Sequence, residues 1–465
     1  MDHYDIIVIG CGAAGYNTAV RASQLGLSVA CIERAQAIGG AGIRTGCIPS
    51  RLLLHASEMY EIAAKAKHAT LGIRCVPTLD LSQMMRYKTK TVENMVRHAT
   101  QLLGRHRVKV IPGTARLAGS GKVALTGPDG LSRIMSGRAV VIATGSEPIP
   151  LPFAAFNHHS ILHSADALAL DRVPRHLAIV GAGATGVELA SLWRRLGARV
   201  TLLERRDRIC HWLDRDIATA LQRALRRQGI GIRLSADVVG IDTRTGGVSI
   251  HVCNAPTGEI ATLDAEQVLV AIGRRPATVG LNLASAGLRA GVDGELPFRP
   301  SPCADGIWVV GDATDGPMLM SKAEEEAIAC AEQIAGLPGF VNYATIPNVL
   351  YTSPEVAMIG KTEDELRATG VPYRIGYCPL AVSARATIHG TQTGSVKLIV
   401  DARTHLIAGA HLIGPRAAEL ISQVAIAVEA SMICEDFARI CHPYPTWSES
   451  VRQAAMAAGG WMMRT

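Results

Sequence analysis

A pattern that occurs twice constrains this chain more than any other feature of its sequence. An apolar run at Asp5–Ile9 enters the glycine-rich turn Gly10–Gly15, a helical stretch follows, and a second apolar run ends at Glu33. The same succession of strand, turn, helix, strand and acid returns around Gly181–Gly186 and ends at Glu204. One G-x-G-x-x-G is a weak signal, but two copies in this context predict two strand–helix–strand units of the same kind.

The chemistry of these turns indicates a dinucleotide ligand. The first glycine permits a tight bend, the second lets the backbone approach a pyrophosphate, and the third lets helix and strand pack closely. The phosphates then lie at the helix N-terminus, where free N–H groups and the helix dipole favour anions. The closing glutamate accepts hydrogen bonds from a ribose diol. The glycines are Gly10, Gly12 and Gly15 in the first copy and Gly181, Gly183 and Gly186 in the second.

Further apolar runs extend this organisation along the chain. Val140–Gly145 and Val268–Gly273 each end in glycine, as expected of a strand that closes a dinucleotide unit, and Ile307–Asp312 predicts another buried strand. Later runs alternate with helical stretches beyond the breaker cluster Gly336–Gly339. The sequence therefore predicts the α/β class, with two Rossmann-like dinucleotide-binding domains and a C-terminal α+β domain.

Composition narrows the class of protein. The chain has 465 residues, too many for one compact core, and no apolar run has the length of a membrane helix. No signal peptide precedes the first strand, so we expect a cytoplasmic protein with no membrane partner. The 11 cysteines form no C-x-x-C and predict no metal site. Part of the net charge of +7 lies in the pairs Arg194-Arg195 and Arg226-Arg227. These pairs either belong to solvated helix faces or attract an acidic partner. No nucleic-acid-binding motif accompanies them.

Several longer stretches resemble one known family. They are Gly46-Cys47-Ile48-Pro49-Ser50, Gly273–Pro276, Gly311-Asp312-Ala313, Gly316–Leu319, Lys322–Glu326, Tyr351–Ala357 and Pro445–Glu449. With the glycine turns, they resemble the class I pyridine nucleotide–disulfide oxidoreductases, and among them dihydrolipoamide dehydrogenase. The resemblance implies an FAD-binding domain at 1–150 with a second, central part at 276–340. It also implies an NAD(P)-binding domain at 151–275 and an interface domain at 341–465 that forms a homodimer.

The same resemblance assigns cofactor residues. Those expected to hold FAD are Gly10, Gly12, Ala13, Ala14, Gly15, Glu33, Arg34, Gly40, Gly46, Cys47, Arg51, Ala143, Thr144, Gly145, Gly311, Asp312, Met318 and Leu319. Those expected to hold the nicotinamide cofactor are Gly181, Gly183, Gly186, Glu188, Glu204 and Gly273. The carboxylate of Glu204 favours NAD(H), because it binds a ribose 2′-hydroxyl and repels a 2′-phosphate. Arg205 and Arg206 follow it and leave NADP(H) open, because guanidinium groups accommodate that phosphate.

The chain departs from the family in its redox centre. The family's redox disulfide joins two cysteines, of which the later is here Cys47 and the earlier position is Gly42, which carries no sulfur. The family's catalytic histidine is replaced by Tyr444, a poor proton acceptor at neutral pH, whereas the orienting acid persists as Glu449. His442 is a candidate substitute for the missing base.

The remaining expected catalytic residues surround Cys47. Arg51 stands where the family has a lysine beside the flavin, and the resemblance pairs it with Glu188, either to hold positive charge there or as a structural ion pair. Cys47 precedes Ile48-Pro49-Ser50, the start of a predicted helix, and a helix N-terminus favours thiolate. Either Cys47 does redox work through a sulfenic acid or mixed disulfide, or it is a relic that packs on the flavin or tunes it. With Tyr444 and Glu449, these three residues are the catalytic candidates.

Loss of both the earlier thiol and its base predicts a changed second half-reaction. NAD(P)H still reduces FAD, and the electrons leave to an external acceptor. The missing thiol relay and the positive net charge favour an acidic redox protein or iron–sulfur protein as the acceptor. The scaffold suggests a link to lipoate by analogy alone. A quinone, a metal ion and a small disulfide remain open as acceptors. The alternatives are a soluble pyridine nucleotide transhydrogenase, dihydrolipoamide dehydrogenase proper, and a partner-binding flavoprotein with structural FAD.

Overall fold

The computed structural model describes residues 3–64, 72–297, 306–391 and 393–463. The strands are β1 His3–Ile9, β2 Val29–Glu33, β3 Lys109–Pro112, β4 Thr114–Leu117, β5 Lys122–Thr126, β6 Ser132–Ile142, β7 Ser146–Pro148, β8 Ile161–Leu162, β9 His176–Val180, β10 Arg199–Leu203, β11 Gly231–Arg233, β12 Ala236–Arg244, β13 Gly247–Asn254, β14 Ile260–Ala265, β15 Gln267–Val270, β16 Arg274–Pro276, β17 Ile307–Val309, β18 Asn348–Leu350, β19 Glu355–Gly360, β20 Tyr373–Pro379, β21 Ser395–Asp401 and β22 Ile407–Gly414. The α-helices are α1 Ala13–Gln24, α2 Gly40–Arg44, α3 Cys47–Ala64, α4 Leu81–Arg105, α5 Ser164–Ala167, α6 Ala184–Arg195, α7 Arg215–Arg227, α8 Met320–Ile334, α9 Glu363–Thr369, α10 Ala384–Ile388, α11 Ala417–Glu429, α12 Cys434–Arg439 and α13 Ser448–Ala458. The mixture of sheets and covering helices confirms the predicted α/β class.

The first sheet has the strand order β3-β2-β1-β6-β5-β4, and β17 pairs in parallel with β6. Ile6, Ile7 and Val8 at its centre are fully buried, because both faces of the sheet are covered. Helices α1, α4 and α8 pack on the face of Ile6 and Val8, and strands β4 and β5 with the segment 281–296 cover the face of Ile7. The ends of β1, β2, β6 and β17 therefore meet at one edge, where ligands of such sheets bind.

A second parallel sheet, of order β11-β10-β9-β15-β8, is built by the chain between β6 and β17. An antiparallel sheet, β12-β13-β14, packs beside it, with Val248 and Ile250 in the shared core. The chain crosses into this unit through β7 and leaves it through β16, and these two short strands pair with each other. The predicted domain boundaries near residues 150 and 275 fall at these crossings and stay a prediction.

The last part of the chain forms an antiparallel sheet of order β18-β19-β22-β21-β20, on which α11 and α13 pack. Lys397 of this sheet is 2% exposed. Its Nζ lies 3.0 Å from Asp214 and 2.8 Å from Asp216, which flank the start of α7 in the second unit, and 2.7 Å from Glu363 of its own unit. A buried ionic cluster therefore joins the second unit to the last one.

Three strand predictions were too long at their ends. The strands in the runs Val140–Gly145, Val268–Gly273 and Ile307–Asp312 end at Ile142, Val270 and Val309, respectively. Gly273 and Gly311 have φ of +138° and +77°, so the chain turns away where the sequence pattern remains apolar. Among the described residues, no helix combines the length and the apolar character needed to cross a bilayer.

Candidate functional site

The first glycine turn cannot accept side chains. Gly10 has φ +99°, and a Cβ there would lie 2.5 Å from the carbonyl oxygen of Ala143. A Cβ on Gly15 would lie 1.9 Å from the carbonyl oxygen of Gly10. The turn therefore has the tight bend and the close helix–strand packing that its sequence predicts.

The second turn repeats this geometry. Gly181 also has φ +99°, and its Cβ would lie 2.5 Å from the carbonyl oxygen of Ala271. A Cβ on Gly186 would lie 2.0 Å from the carbonyl oxygen of Gly181. The two units are thus built alike at their turns, and each turn leads into the first residues of a helix, α1 or α6.

The two closing glutamates bind their own glycine turns. Glu33 accepts hydrogen bonds from the backbone N–H of Cys11 and of Ala35, both at 2.9 Å. A carboxylate oxygen has two lone pairs, so each oxygen that accepts one such bond can accept another from a ribose hydroxyl.

Glu204 likewise accepts hydrogen bonds from the backbone N–H of Ala182 at 2.8 Å and from that of Arg206 at 3.0 Å. The side chains of Arg205 and Arg206 are exposed at the end of β10. Glu204 therefore shapes its turn as well as facing the position expected of a ribose.

The residues around the first turn fit a dinucleotide. Gly12 precedes α1 without any side-chain cap, which leaves the N–H groups of the first helical turn available to an anion. Gly40 approaches so closely that its Cβ would lie 2.7 Å from the Cα of Gly12. The buried hydroxyl of Thr144 has no hydrogen-bond partner within the described residues, which is typical of a group that faces a ligand.

The other residues expected to hold FAD border the same edge of the first sheet. Ala13 and Ala14 begin α1, Arg34 follows β2, Gly46 precedes α3, Ala143 and Gly145 follow β6, Gly311 and Asp312 follow β17, and Met318 and Leu319 precede α8. Gly183, Glu188 and Gly273 likewise border the second sheet, at or beside α6 and after β15.

Two buried ionic residues that carry no predicted role hold the turn at Gly311. The N–H of Gly311 donates to Oε2 of Glu326 at 2.7 Å, and Nζ of Lys322 lies 3.1 Å from Oε1 of the same carboxylate. Lys322 is 2% exposed and Glu326 is 0% exposed. Their four-residue spacing on α8 was visible in the sequence, but only burial reveals that they brace this turn.

Asp312 belongs to a second polar chain. Oγ of Ser146 donates to Oδ2 of Asp312 at 2.6 Å, and Nε of Arg274 donates to Oγ of Ser146 at 2.7 Å. Because Ser146 lies on β7 and Arg274 on β16, the paired crossing strands hold Asp312 at the edge of the first sheet. Sequence reasoning assigned no role to either residue.

Cys47 is the first residue of α3, and its side chain is a free, half-buried thiol. Burial raises the pKa of this thiol, and the nearby charge of Arg51 opposes that rise without cancelling it. The expectation that the helix N-terminus favours a thiolate is therefore wrong for this protein, because desolvation, together with the negative charges of Glu188 and Asp312, outweighs the charge of Arg51. In the described part of the chain, all cysteines are thiols and none forms a disulfide.

Arg51 and Glu188 form the expected ion pair. Nη1 of Arg51 lies 2.5 Å from Oε2 of Glu188, and the guanidinium stacks 4.0 Å from the ring centre of Tyr351. The N–H of Tyr351 donates to Oε1 of Glu188 at 3.0 Å. Burial raises the pKa of Glu188, and Arg51 counteracts it. Tyr351, which sequence reasoning did not select, thus contacts both members of the pair.

The position of the missing thiol is filled by another side chain. A Cβ on Gly42 would lie 2.7 Å from Sδ of Met320 and 3.3 Å from its Cγ and Cε. Met320 is the first residue of α8 and is 39% exposed. The missing side chain at Gly42 was visible in the sequence, but its contact with Met320 was not, since the two residues lie far apart in the chain.

The C-terminal candidates lie elsewhere in the subunit. Tyr444 is 63% exposed, and Glu449 is buried in the first turn of α13, which packs on β20, β21 and α12. Both ring nitrogens of His442 make hydrogen bonds within the C-terminal unit. Nδ1 lies 2.9 Å from the carbonyl oxygen of Ile440, and Nε2 lies 3.1 Å from Oε1 of Gln423. His442 is therefore occupied locally, and the structure gives no support to its acting as a substitute base.

Comparison with known proteins agrees with this architecture. The family described as "Pyridine nucleotide-disulphide oxidoreductase" matches residues 4–327, and its dimerisation domain matches residues 346–455. The chain belongs to this family. It is an FAD-dependent, NAD-linked oxidoreductase with a dimerisation domain, as the resemblance implied.

Its relatives include dihydrolipoyl dehydrogenases. The chain is 46% identical to dihydrolipoyl dehydrogenase 3 of Pseudomonas putida over 465 residues, 100% of both chains. It is 39% identical to the mitochondrial dihydrolipoyl dehydrogenase of Pisum sativum, covering 98% of this chain and 91% of that one. Among solved structures, LpdA of Mycobacterium tuberculosis superposes with a TM-score of 0.89 at 26% identity, covering 98% of this chain and 99% of that one. The protein is thus dihydrolipoamide dehydrogenase-like.

Proposed function

We propose that this enzyme oxidises NAD(P)H and passes the electrons to an external acceptor without an internal disulfide. Bound FAD supplies the chemistry that joins these two half-reactions. The acceptor we favour is a redox or iron–sulfur protein with an acidic surface, because the chain carries a net charge of +7. The proposal includes a cytoplasmic homodimer, as expected from the sequence.

One observation carries this proposal: a thioether stands where a second thiol is needed. Gly42 has no sulfur, and Met320 fills the space beside it. A thioether can be oxidised to a sulfoxide but cannot form a disulfide with Cys47. Dithiol exchange at this spacing therefore has no chemical basis in this chain.

The residues near Cys47 support an electrostatic role. Arg51 holds a permanent positive charge one helical turn after Cys47, and Glu188 and Tyr351 fix its guanidinium in place. The raised pKa of Cys47 favours a neutral thiol at neutral pH, which supports packing or tuning over nucleophilic attack. We assign Arg51 and Glu188 to the cofactor site on these grounds.

In the proposed homodimer, the C-terminal candidates Tyr444 and Glu449 contribute to the site of a second copy of the chain. In a homodimer, Tyr444 and Glu449 would approach the Cys47 side of the partner subunit. A tyrosine there can donate a hydrogen bond but is a poor base at neutral pH. This agrees with an electron-transfer step that needs no thiol deprotonation.

The preferred nicotinamide is NADH. Glu204 directs its carboxylate to the second turn, where a 2′-phosphate would meet negative charge. The exposed guanidinium groups of Arg205 and Arg206 leave room for NADPH as a weaker substrate. A transhydrogenase reaction would require both cofactors to bind well.

A second candidate is dihydrolipoyl dehydrogenase activity itself, which the names of the 46% and 39% identical relatives favour. Stopped-flow mixing of the purified enzyme with NADH tests the first half-reaction. Steady-state turnover with lipoamide, thio-NAD, a quinone and a ferredoxin tests the second. We expect rapid bleaching of the flavin absorbance, and turnover with ferredoxin or quinone but not with lipoamide.

Two cysteine variants separate thiol chemistry from electron transfer. Cys47→Ser should retain turnover with the external acceptor, and Cys441→Ser, which removes an exposed thiol on the C-terminal segment, serves as the matched control. Rapid lipoamide turnover, or loss of acceptor reduction only in Cys47→Ser, would contradict the proposal. A flavin that NADH does not bleach would indicate structural FAD in a partner-binding protein.

A further inference from the structure

A cluster outside the redox site brings two imidazoles and one carboxylate together. His158, His163 and Asp166 lie where the chain enters the second unit: the two histidines lie between crossing strand β7 and helix α5, and Asp166 lies in α5. One donor atom from each lies within 4.8 Å of the other two. Strand β8, which separates the two histidines, is the edge of the second parallel sheet. The cluster therefore ties a loop to the edge of that sheet.

The spacing of the donor atoms suits a metal ion. Oδ2 of Asp166 lies 3.1 Å from Nδ1 of His158 and 3.1 Å from Nδ1 of His163. Zinc binds imidazole nitrogen and carboxylate oxygen at about 2.0–2.2 Å in a tetrahedron, which places neighbouring donors roughly 3.3 Å apart. The two contacts of Asp166 need only lengthen slightly to admit the ion, while the histidine nitrogens, which lie within 4.8 Å of each other, would close onto it. A fourth position would face solvent.

The hydrogen bonds of the cluster also call for a positive charge at its centre. Nδ1 of His163 accepts from the N–H of Asp166 at 3.3 Å, a long hydrogen bond that occupies the single lone pair of this nitrogen and that a bound metal ion would replace. Oδ2 of Asp166 accepts from the N–H of His163 at 2.9 Å. Two acceptor atoms 3.1 Å apart repel unless a proton or a cation lies between them. A metal ion satisfies both lone pairs and that of His158 together.

The loop holds the ligands in place before any ion binds. Oδ1 of Asn157 accepts from the N–H groups of His159, Ser160 and Ile161 at 2.8–3.0 Å. His158 has φ +60°, a left-handed conformation that is uncommon outside glycine. Preorganised ligands lose less conformational freedom on binding.

We propose that His158, His163 and Asp166 bind a divalent transition metal ion of the zinc type. The ion would link the loop at His158 to α5 and so fix the entry of the chain into the second unit. The side chain of His158 is 62% exposed and that of Asp166 is 18% exposed, so the ion can reach the site from solvent and is then partly enclosed. No metal motif in the sequence predicts this site, because the ligand spacing matches none of the common patterns.

Zinc titration of the chelator-treated, full-length holoenzyme tests this proposal. His158→Asn removes one ligand, and asparagine tolerates the left-handed backbone at that position. His159→Asn is the matched control, because His159 is an exposed neighbour outside the cluster. Isothermal titration with zinc chloride gives stoichiometry and affinity. The absorption of added cobalt(II) reports the ligand geometry.

We expect the wild type and His159→Asn to bind one equivalent of zinc more tightly, by at least roughly tenfold, than His158→Asn does. Zinc should also raise the melting temperature of the first two proteins but not of His158→Asn. Equal zinc binding by wild type and His158→Asn would overturn the proposal and leave a protonated ion-pair cluster. So would a loss in His159→Asn as large as that in His158→Asn. Asp166→Asn provides a second ligand variant with the same expected loss.

Discussion

Restoring the missing thiol tests the central feature of the site. Gly42→Cys places a sulfur in the position that the family uses for its redox disulfide. If the absence of that sulfur were the only obstacle, the single substitution would form a disulfide with Cys47. The structure indicates a second obstacle, because Met320 already fills the space.

The contact distances set the size of this obstacle. The new Cβ would lie 2.7 Å from Sδ of Met320, closer than ordinary van der Waals contact, so the methionine must leave its position. Met320 is 39% exposed and flexible, so moving it costs about 1 kcal/mol, the low end of the roughly 1–3 kcal/mol that overpacking of a core costs. The thiol and disulfide forms share the new Cβ, so this cost opposes the disulfide only where Met320 must also leave the path of the sulfur towards Cys47, and then by roughly fivefold at about 1.4 kcal/mol per factor of ten. Adding Met320→Ala should remove most of that penalty.

Thiol counting on the oxidised, denatured proteins measures the outcome. We expect an incomplete disulfide in Gly42→Cys and a complete one in Gly42→Cys with Met320→Ala, located by peptide mass mapping. In anaerobic titration, the double variant should take up two more electrons per flavin. Gly42→Ser with Met320→Ala has nearly the same shape without the thiol and is the control.

Complete disulfide formation in the single variant, equal to that in the double variant, would refute the reasoning about Met320. A double variant that keeps both thiols reduced under oxidising conditions would show that the helices α2 and α3 cannot bring the two sulfurs together. Lipoamide turnover should stay low in both variants, because Tyr444 cannot serve as the base.

Three further predictions follow from contacts described above. Arg51→Gln should shift the pH of half-maximal Cys47 alkylation upward, because the charge that opposes the raised thiol pKa is lost, whereas Arg51→Lys should shift it little; an unchanged or lower midpoint would contradict the assignment. Glu204→Ala should raise the KM for NADH more than that for NADPH, by about tenfold or more for each charge-assisted hydrogen bond to the ribose that is lost; equal effects on both cofactors would indicate a role in turn structure alone. Lys322→Met should lower the free energy of unfolding by about 3–5 kcal/mol in denaturant titration, since it leaves Glu326 buried without its ion-pair partner, and a loss near zero would show that Glu326 is neutral there.

Much of the fold followed from periodicity and glycine placement. The run Asp5–Ile9 ends where β1 ends, at the glycine turn, and the second apolar run ends at Glu33, the last residue of β2. The antiparallel strands β12 to β14 were not predicted, because their alternation is interrupted by polar residues and a bulge near Val238. The strand ends near Gly273 and Gly311 were predicted too late in the chain, because a positive φ cannot be inferred from the hydropathy pattern.

The residues of the candidate site could be predicted from sequence only where a residue has a local role that a sequence motif defines. Gly10, Gly15 and Glu33 could be assigned from the motif, because their roles depend on local backbone geometry. Tyr351 and Met320 could not, because their importance lies in contacts with residues distant in the chain. The protonation of Cys47 was misjudged for a related reason: helix position is local and visible, whereas desolvation depends on the whole surrounding structure.

The ammonium group of Lys397 has a consequence for how the enzyme moves. Any large rotation of the nucleotide-binding unit away from the C-terminal one would expose this group and separate it from the buried carboxylate of Asp214. Hinged opening of the unit is therefore disfavoured, and heating should melt both units in a single transition.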